Sequence, residues 1–100
     1  MDRYVASPKI ATLFDDLIAA MTLGDGLNAW TNFVRKEKAA YIKDPEARRE
    51  LMRKLLFGMG SVTDIVMVPR PRTNTTRKQL EANVERAAEQ LWAEIVKSGN

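Results

Sequence analysis

The sequence predicts an all-α protein: one domain over residues 1–100, a compact bundle of four amphipathic helices with a short extended segment and a Pro-rich loop before the last helix. Three observations predict it. Apolar residues recur at helical spacing in four separate stretches. The breaks between stretches carry Gly, Pro and capping residues. No second strand is visible that would let a sheet form. A chain of 100 residues buries about two-thirds of the surface that its unfolded form exposes, enough for one core.

Ser7 is a suitable N-cap for the first helix, and Pro8 suits its first position, where a missing N–H costs nothing. Ile10, Leu13, Phe14, Leu17, Ile18 and Met21 then form one stripe, and Gly24-Asp25-Gly26 closes it. The second helix is predicted from Leu27 to Lys43. Leu27, Trp30, Phe33, Val34 and Tyr41 make its apolar side, with Glu37 interrupting. Asp44-Pro45 stops that helix and starts the third, with Asp44 as N-cap and Glu46 in the first turn. Ala47, Leu51, Met52, Leu55 and Leu56 are the predicted buried face of the third helix. Arg48, Arg49, Arg53 and Lys54 fall on its other faces.

Phe57-Gly58-Met59-Gly60-Ser61 breaks the helical pattern. Two glycines bracketing a methionine suggest a backbone that needs positive φ twice or makes a close approach. Ser61 to Asp64 has capping-box spacing and would start a short helical turn. Val62, Ile65, Val66 and Val68 are β-branched and suit extended chain. The extended reading is preferred for 64–68, as a lone strand with an unpaired edge. Pro69 to Asn74 is a loop of polyproline character. The fourth helix begins near Thr75 or Thr76, with Gln79 three residues after Thr76. Its stripe is Leu80, Val84, Ala87, Ala88, Leu91 and Ile95, with Trp92 at the edge, and Gly99 ends it.

The chain contains neither Cys nor His. Disulfides, thiolate nucleophiles, Cys- or His-ligated zinc, histidine general bases and the Ser-His-Asp triad are therefore removed. Carboxylate or lysine chemistry is not removed, but no catalytic motif is recognisable. No catalytic residue, metal ligand or cofactor is expected. Residues 1–8 are polar and mixed in charge, so no secretory signal is expected. No apolar stretch nears the roughly 20 residues that span a bilayer. A cytoplasmic location without a membrane partner is expected.

Net charge is +3, unevenly spread. Residues 35–78 hold twelve Lys/Arg against five acids, a balance of +7, and the segments on either side are each −2. This basic middle supplies candidate phosphate contacts at Arg35, Lys36, Arg49, Arg53, Lys54, Arg77 and Lys78. No helix-turn-helix spacing, RNP-like motif or zinc finger accompanies them. Local acids at Glu46, Glu50 and Glu81 neutralise part of the field.

Adjacent Asp15 and Asp16 point about 100° apart on a helix and cannot jointly grip one ion. Glu81, Glu85 and Glu89 describe the wet face of the fourth helix. Gly58-x-Gly60-Ser61 lacks the phosphate-loop pattern and follows a helix rather than a strand, so it reads as a structural turn. The preferred binding region is Ser61 to Arg72, with Ser61, Asp64, Arg70 and Arg72 as candidate contacts. Trp92 joins them as an interface anchor if it is exposed. Reversing Arg70 and Arg72 to glutamate is expected to weaken binding and leave stability nearly unchanged.

Leu56-Phe57-Gly58-Met59-Gly60-Ser61-Val62-Thr63-Asp64-Ile65-Val66 resembles the hallmark of a family of small bacterial proteins of unknown function, DUF6966. The family pattern reads approximately G-G-M-G-S-[FL]-N-D-[LI]-V, with a Trp upstream, which Trp30 matches, and a Leu-rich helix downstream, which Leu80 to Ile95 matches. Phe57 stands in place of the first glycine and Thr63 in place of asparagine. The resemblance implies no activity.

The expected function is that of a small non-catalytic protein-binding protein, a stoichiometric inhibitor or immunity-type protein that blocks a toxin, effector or host-defence component. The alternative is a nucleic-acid-binding accessory protein that uses the basic surface of residues 35–78. The unpaired edge also leaves a homodimer open.

Overall fold

Side-chain caps start two of the helices in the computed structural model, which describes residues 8–65 and 67–98. Asp44 accepts a hydrogen bond from the Ala47 N–H at 3.3 Å, and Pro45 follows as the first residue of α3 (Pro45–Leu56). Thr76 and Gln79 form a reciprocal box before α4 (Arg77–Ser98). The Gln79 N–H donates to Thr76 Oγ1 at 3.1 Å, and the Thr76 N–H donates to Gln79 Oε1 at 2.9 Å. The other two helices are α1 (Pro8–Met21) and α2 (Asn28–Lys43). Expectations for Ser7, Val66 and Gly99 lie outside the described residues.

The result is the all-α four-helix bundle that the spacing predicts, with no strand among the described residues. Successive helices run antiparallel and α4 closes the ring on α1. One polar tie crosses each seam. Lys38 meets Asp15 at 2.7 Å between α1 and α2, and Arg48 meets Glu37 at 3.3 Å between α2 and α3. Arg49 Nη2 donates to the Val96 carbonyl at 3.3 Å between α3 and α4. Lys9 meets Glu94 at 3.5 Å between α4 and α1. Each tie keeps at least partial contact with solvent and fixes register more than it adds stability.

Apolar burial holds the bundle together. All six stripe residues of α1 and all six of α4 are buried. α2 contributes Val34 and Tyr41, and the Tyr41 ring lies 5.9 Å from that of Phe14. α3 contributes Met52 and Leu56. Ser61, Val62 and Met67 close one end of the core.

Two stretches depart from expectation. Phe33, Ala47 and Leu51, read as core-facing, are exposed, while Trp30 and Leu55 are half-buried. Phe33 and Leu51 each precede a buried residue, Val34 or Met52, by one position, which is about 100° of helix. Only the sector facing the bundle axis is covered, so the flanking apolar residues stay on the surface.

The segment predicted as an extended run over 64–68 starts instead with a 3₁₀ turn over Val62–Asp64. The chain becomes extended only at Ile65. It is also not an unpaired edge. The Asp25 N–H donates to the Val68 carbonyl at 2.7 Å and the Arg70 N–H donates to the Leu23 carbonyl at 2.9 Å, around an isolated antiparallel bridge between Gly24 and Pro69. The α1–α2 loop supplies the partner, which a search for a second strand misses. Gly24 lets that loop fold back over its own Leu27: a Cβ there would lie 2.5 Å from Leu27 Cδ1.

Candidate functional site

The Gly58–Asp64 loop is built by its own polar groups. Gly58 and Gly60 both take positive φ, +101° and +77°, as the paired glycines suggested. Ser61 Oγ donates to the Gly58 carbonyl at 2.6 Å and Thr63 Oγ1 donates to the Leu56 carbonyl at 2.8 Å. Asp64 Oδ2 accepts the Gly60 N–H at 2.8 Å. This network holds Met59 at the tip, 97% exposed.

The loop network also relocates the expected contacts of this region. Ser61 is buried, and its hydroxyl is used inside the loop. Asp64 is exposed but holds the turn. Arg70 Nε donates to the Thr22 carbonyl at 2.6 Å, so this side chain pins residues 68–70 to the end of α1. Arg72 is exposed, with φ of +69°. Reversing Arg70 therefore removes a structural bond, and the expectation that stability would be unchanged does not hold for it.

The α2–α3 seam presents an apolar face that the sequence reading assigned to the core. Trp30 and Phe33 pack edge to face with ring centroids 5.9 Å apart. Opposite them, Leu51 and Leu55 line the same groove, which runs to Gly60 beside the Met59 tip. Phe33 is 42% and Leu51 48% exposed. Ala29 extends the face along α2. Arg48, Glu37 and Lys54 form its charged rim. The signal that could have found it is the seven-residue spacing of Leu27, Val34 and Tyr41, which defines the α2 seam and leaves Trp30 and Phe33 to one side.

The candidate phosphate contacts are divided among faces. Arg35 lies in the α1–α2 groove with Asp15 and Lys38, and hydrogen-bonds Asn32 at 2.9 Å. Lys36 is exposed on α2. Arg77 pairs with Glu81 at 3.1 Å at the start of α4, where Lys78 is exposed. Arg49, Arg53 and Lys54 do converge, in the α3–α4 groove around half-buried Trp92. Glu46 and Glu50 share that groove and offset most of its charge.

Among the described residues no group of three or more His, Cys, Asp or Glu is placed to hold a metal ion. No helix among them is long and apolar enough to cross a membrane. Asp15, Glu37, Glu81 and Glu94 each pair with a cation on a different part of the surface. Comparisons with protein-family models, curated proteins and solved structures find no match for this chain.

Proposed function

We propose that this protein is a non-catalytic, stoichiometric protein-binding protein, in the manner of an inhibitor or immunity-type protein, and that it seats its α2–α3 face and Met59 tip on a larger partner. The observation that carries the reading is the exposed apolar groove between Trp30–Phe33 and Leu51–Leu55, with Met59 held at its end. Aromatic, Met and Arg side chains are the types enriched at interface centres. Covering the exposed parts of Phe33, Leu51 and Met59 supplies roughly 4 kcal/mol at ordinary transfer values. The hydrogen-bonded loop presents the Met59 backbone already ordered, so little further backbone entropy is lost when the side chain is buried.

A photo-crosslinking side chain placed at Phe33, with Gln90 on the exposed face of α4 as control, tests this in cells of the source organism. A discrete protein adduct from position 33, absent from position 90 and lost on adding Leu51→Glu, is expected. No adduct at either position, or equal labelling at both, would overturn the reading.

A second reading, nucleic-acid binding, rests on Arg49, Arg53 and Lys54 standing around Trp92. Its signature is an affinity for a DNA or RNA duplex that falls steeply with salt. The acids in the same groove and the scatter of the other cations favour the protein-binding reading.

A further inference from the structure

We infer that the occupant of the α2–α3 groove is an acidic amphipathic helix of a partner protein, its apolar face laid between Trp30–Phe33 and Leu51–Leu55 and its flanking Asp or Glu residues set against Lys36 and Lys54. This rests on the protein-binding reading and adds to it the chemistry of the partner segment.

The secondary structure of the occupant follows from what the surface offers. A strand would need a free edge to pair with. Around the Gly24–Pro69 bridge, the carbonyls of Leu23 and Val68 and the N–H groups of Asp25 and Arg70 already bond to one another, and the described residues contain no sheet. What remains is a furrow between two antiparallel helices, the shape into which a third helix packs by ridges and grooves. From Arg48 to Leu55 the α3 wall spans eight residues and rises about 10 Å, so it matches two turns of a bound helix.

The rim sets the charge. Glu37 is only 16% exposed at its side chain and is neutralised by Arg48 at 3.3 Å. Lys54 borders the groove directly, and Lys36 lies one turn beyond Phe33 on the exposed face of α2. Neither lysine has a carboxylate partner among the described residues. Lys54 at the groove, shared with the α3–α4 groove where Glu46 and Glu50 lie, and Lys36 close by on α2 therefore leave positive charge beside the apolar floor. A second copy of this chain, docked face to face, would bring the same lysines together and leave them uncompensated, so charge favours an acidic partner over self-association.

A displayed library of helix-forming peptides tests this, selected on the full chain and counter-selected on the Phe33→Ser/Leu51→Ser variant. The expected binders carry apolar residues at i, i+4 and i+7 with an excess of Asp and Glu. Their affinity should fall roughly tenfold or more for Lys36→Glu/Lys54→Glu, and should weaken with salt. The lysine double variant changes exposed side chains and should melt within a few degrees of wild type, whereas Phe33→Ser/Leu51→Ser also removes partly buried area, so an unchanged far-UV spectrum and a cooperative melt above the selection temperature verify that it folds.

Groove-dependent binders with no acidic excess, or with affinity untouched by the lysine reversal, would overturn this inference and leave protein binding standing. Failure to recover any groove-dependent peptide would also overturn it, with the crosslink at position 33 then deciding the broader reading. A concentration-dependent dimer in sedimentation, abolished by Leu51→Ser, would replace the acidic helix with a second copy.

Discussion

Leu51 and Met52 are neighbours in sequence and opposites in environment, and truncating each to alanine tests whether α3 is oriented as described. Met52 is fully buried. Its truncation removes core methylenes and leaves an enclosed void, a loss of about 2–5 kcal/mol. Leu51 is 48% exposed and borders an open groove. Its truncation forfeits about half of the roughly 2 kcal/mol that complete leucine burial supplies, and creates no enclosed cavity, for a loss of about 1 kcal/mol. In a domain of this length 1 kcal/mol moves Tm by about 4–8 °C. Met52→Ala should therefore melt about 10 °C or more below wild type, and Leu51→Ala within about 8 °C of it. Far-UV circular dichroism against temperature, with urea unfolding as a second measure, reads both. Equal losses would mean that the two side chains are similarly buried, with α3 turned by about half of the 100° between them, and reversed losses would mean a turn of about 100°. The α2–α3 face, and the function built on it, would then disappear together.

Substitutions at four other sites probe the elements that position this face. Gly58→Ala and Gly60→Ala force a Cβ into left-handed backbone at φ +101° and +77°; each should cost about 1–2 kcal/mol in urea unfolding, and a neutral result would refute the loop geometry. Asp44→Ala removes the cap on the Ala47 N–H and should cost about 1 kcal/mol, recovered largely by Asp44→Ser in the same assay. Arg70→Ala removes the bond to the Thr22 carbonyl and should cost about 1 kcal/mol while increasing hydrogen exchange at the Asp25 and Arg70 amides; unchanged exchange would show that the side chain does not hold that segment.

Much of the scaffold was legible without coordinates because its signals are local. Pro8, Asp44-Pro45 and Thr76-x-x-Gln79 act on their own backbone within one turn, and each marks a helix start where expected. The stripes of α1 and α4 are equally direct, since every apolar position at helical spacing there is also buried. The paired glycines around Met59 announced a backbone that only glycine adopts readily, and both take positive φ. The candidate site was less legible. Ser61 and Arg70, chosen as contacts, turned out to hold the chain to itself. Phe33 and Leu51, assigned to the core, form the exposed face.

Helical periodicity establishes which residues share a side of a helix, and by itself it determined that this chain folds as four packed helices. It carries no information on how wide a sector the neighbours cover. On α1 and α4 that sector includes every residue of the predicted stripe. On α2 and α3 it stops at the line through Val34 and Met52, because four helices in a ring close over an axis and not over their outer flanks. Only the tertiary structure decided that Trp30, Phe33, Leu51 and Leu55 meet across a seam, and that the α1–α2 loop occupies the edge of residues 68–70. Both depend on contacts between segments distant in sequence, whose register is set by the packing of the whole bundle.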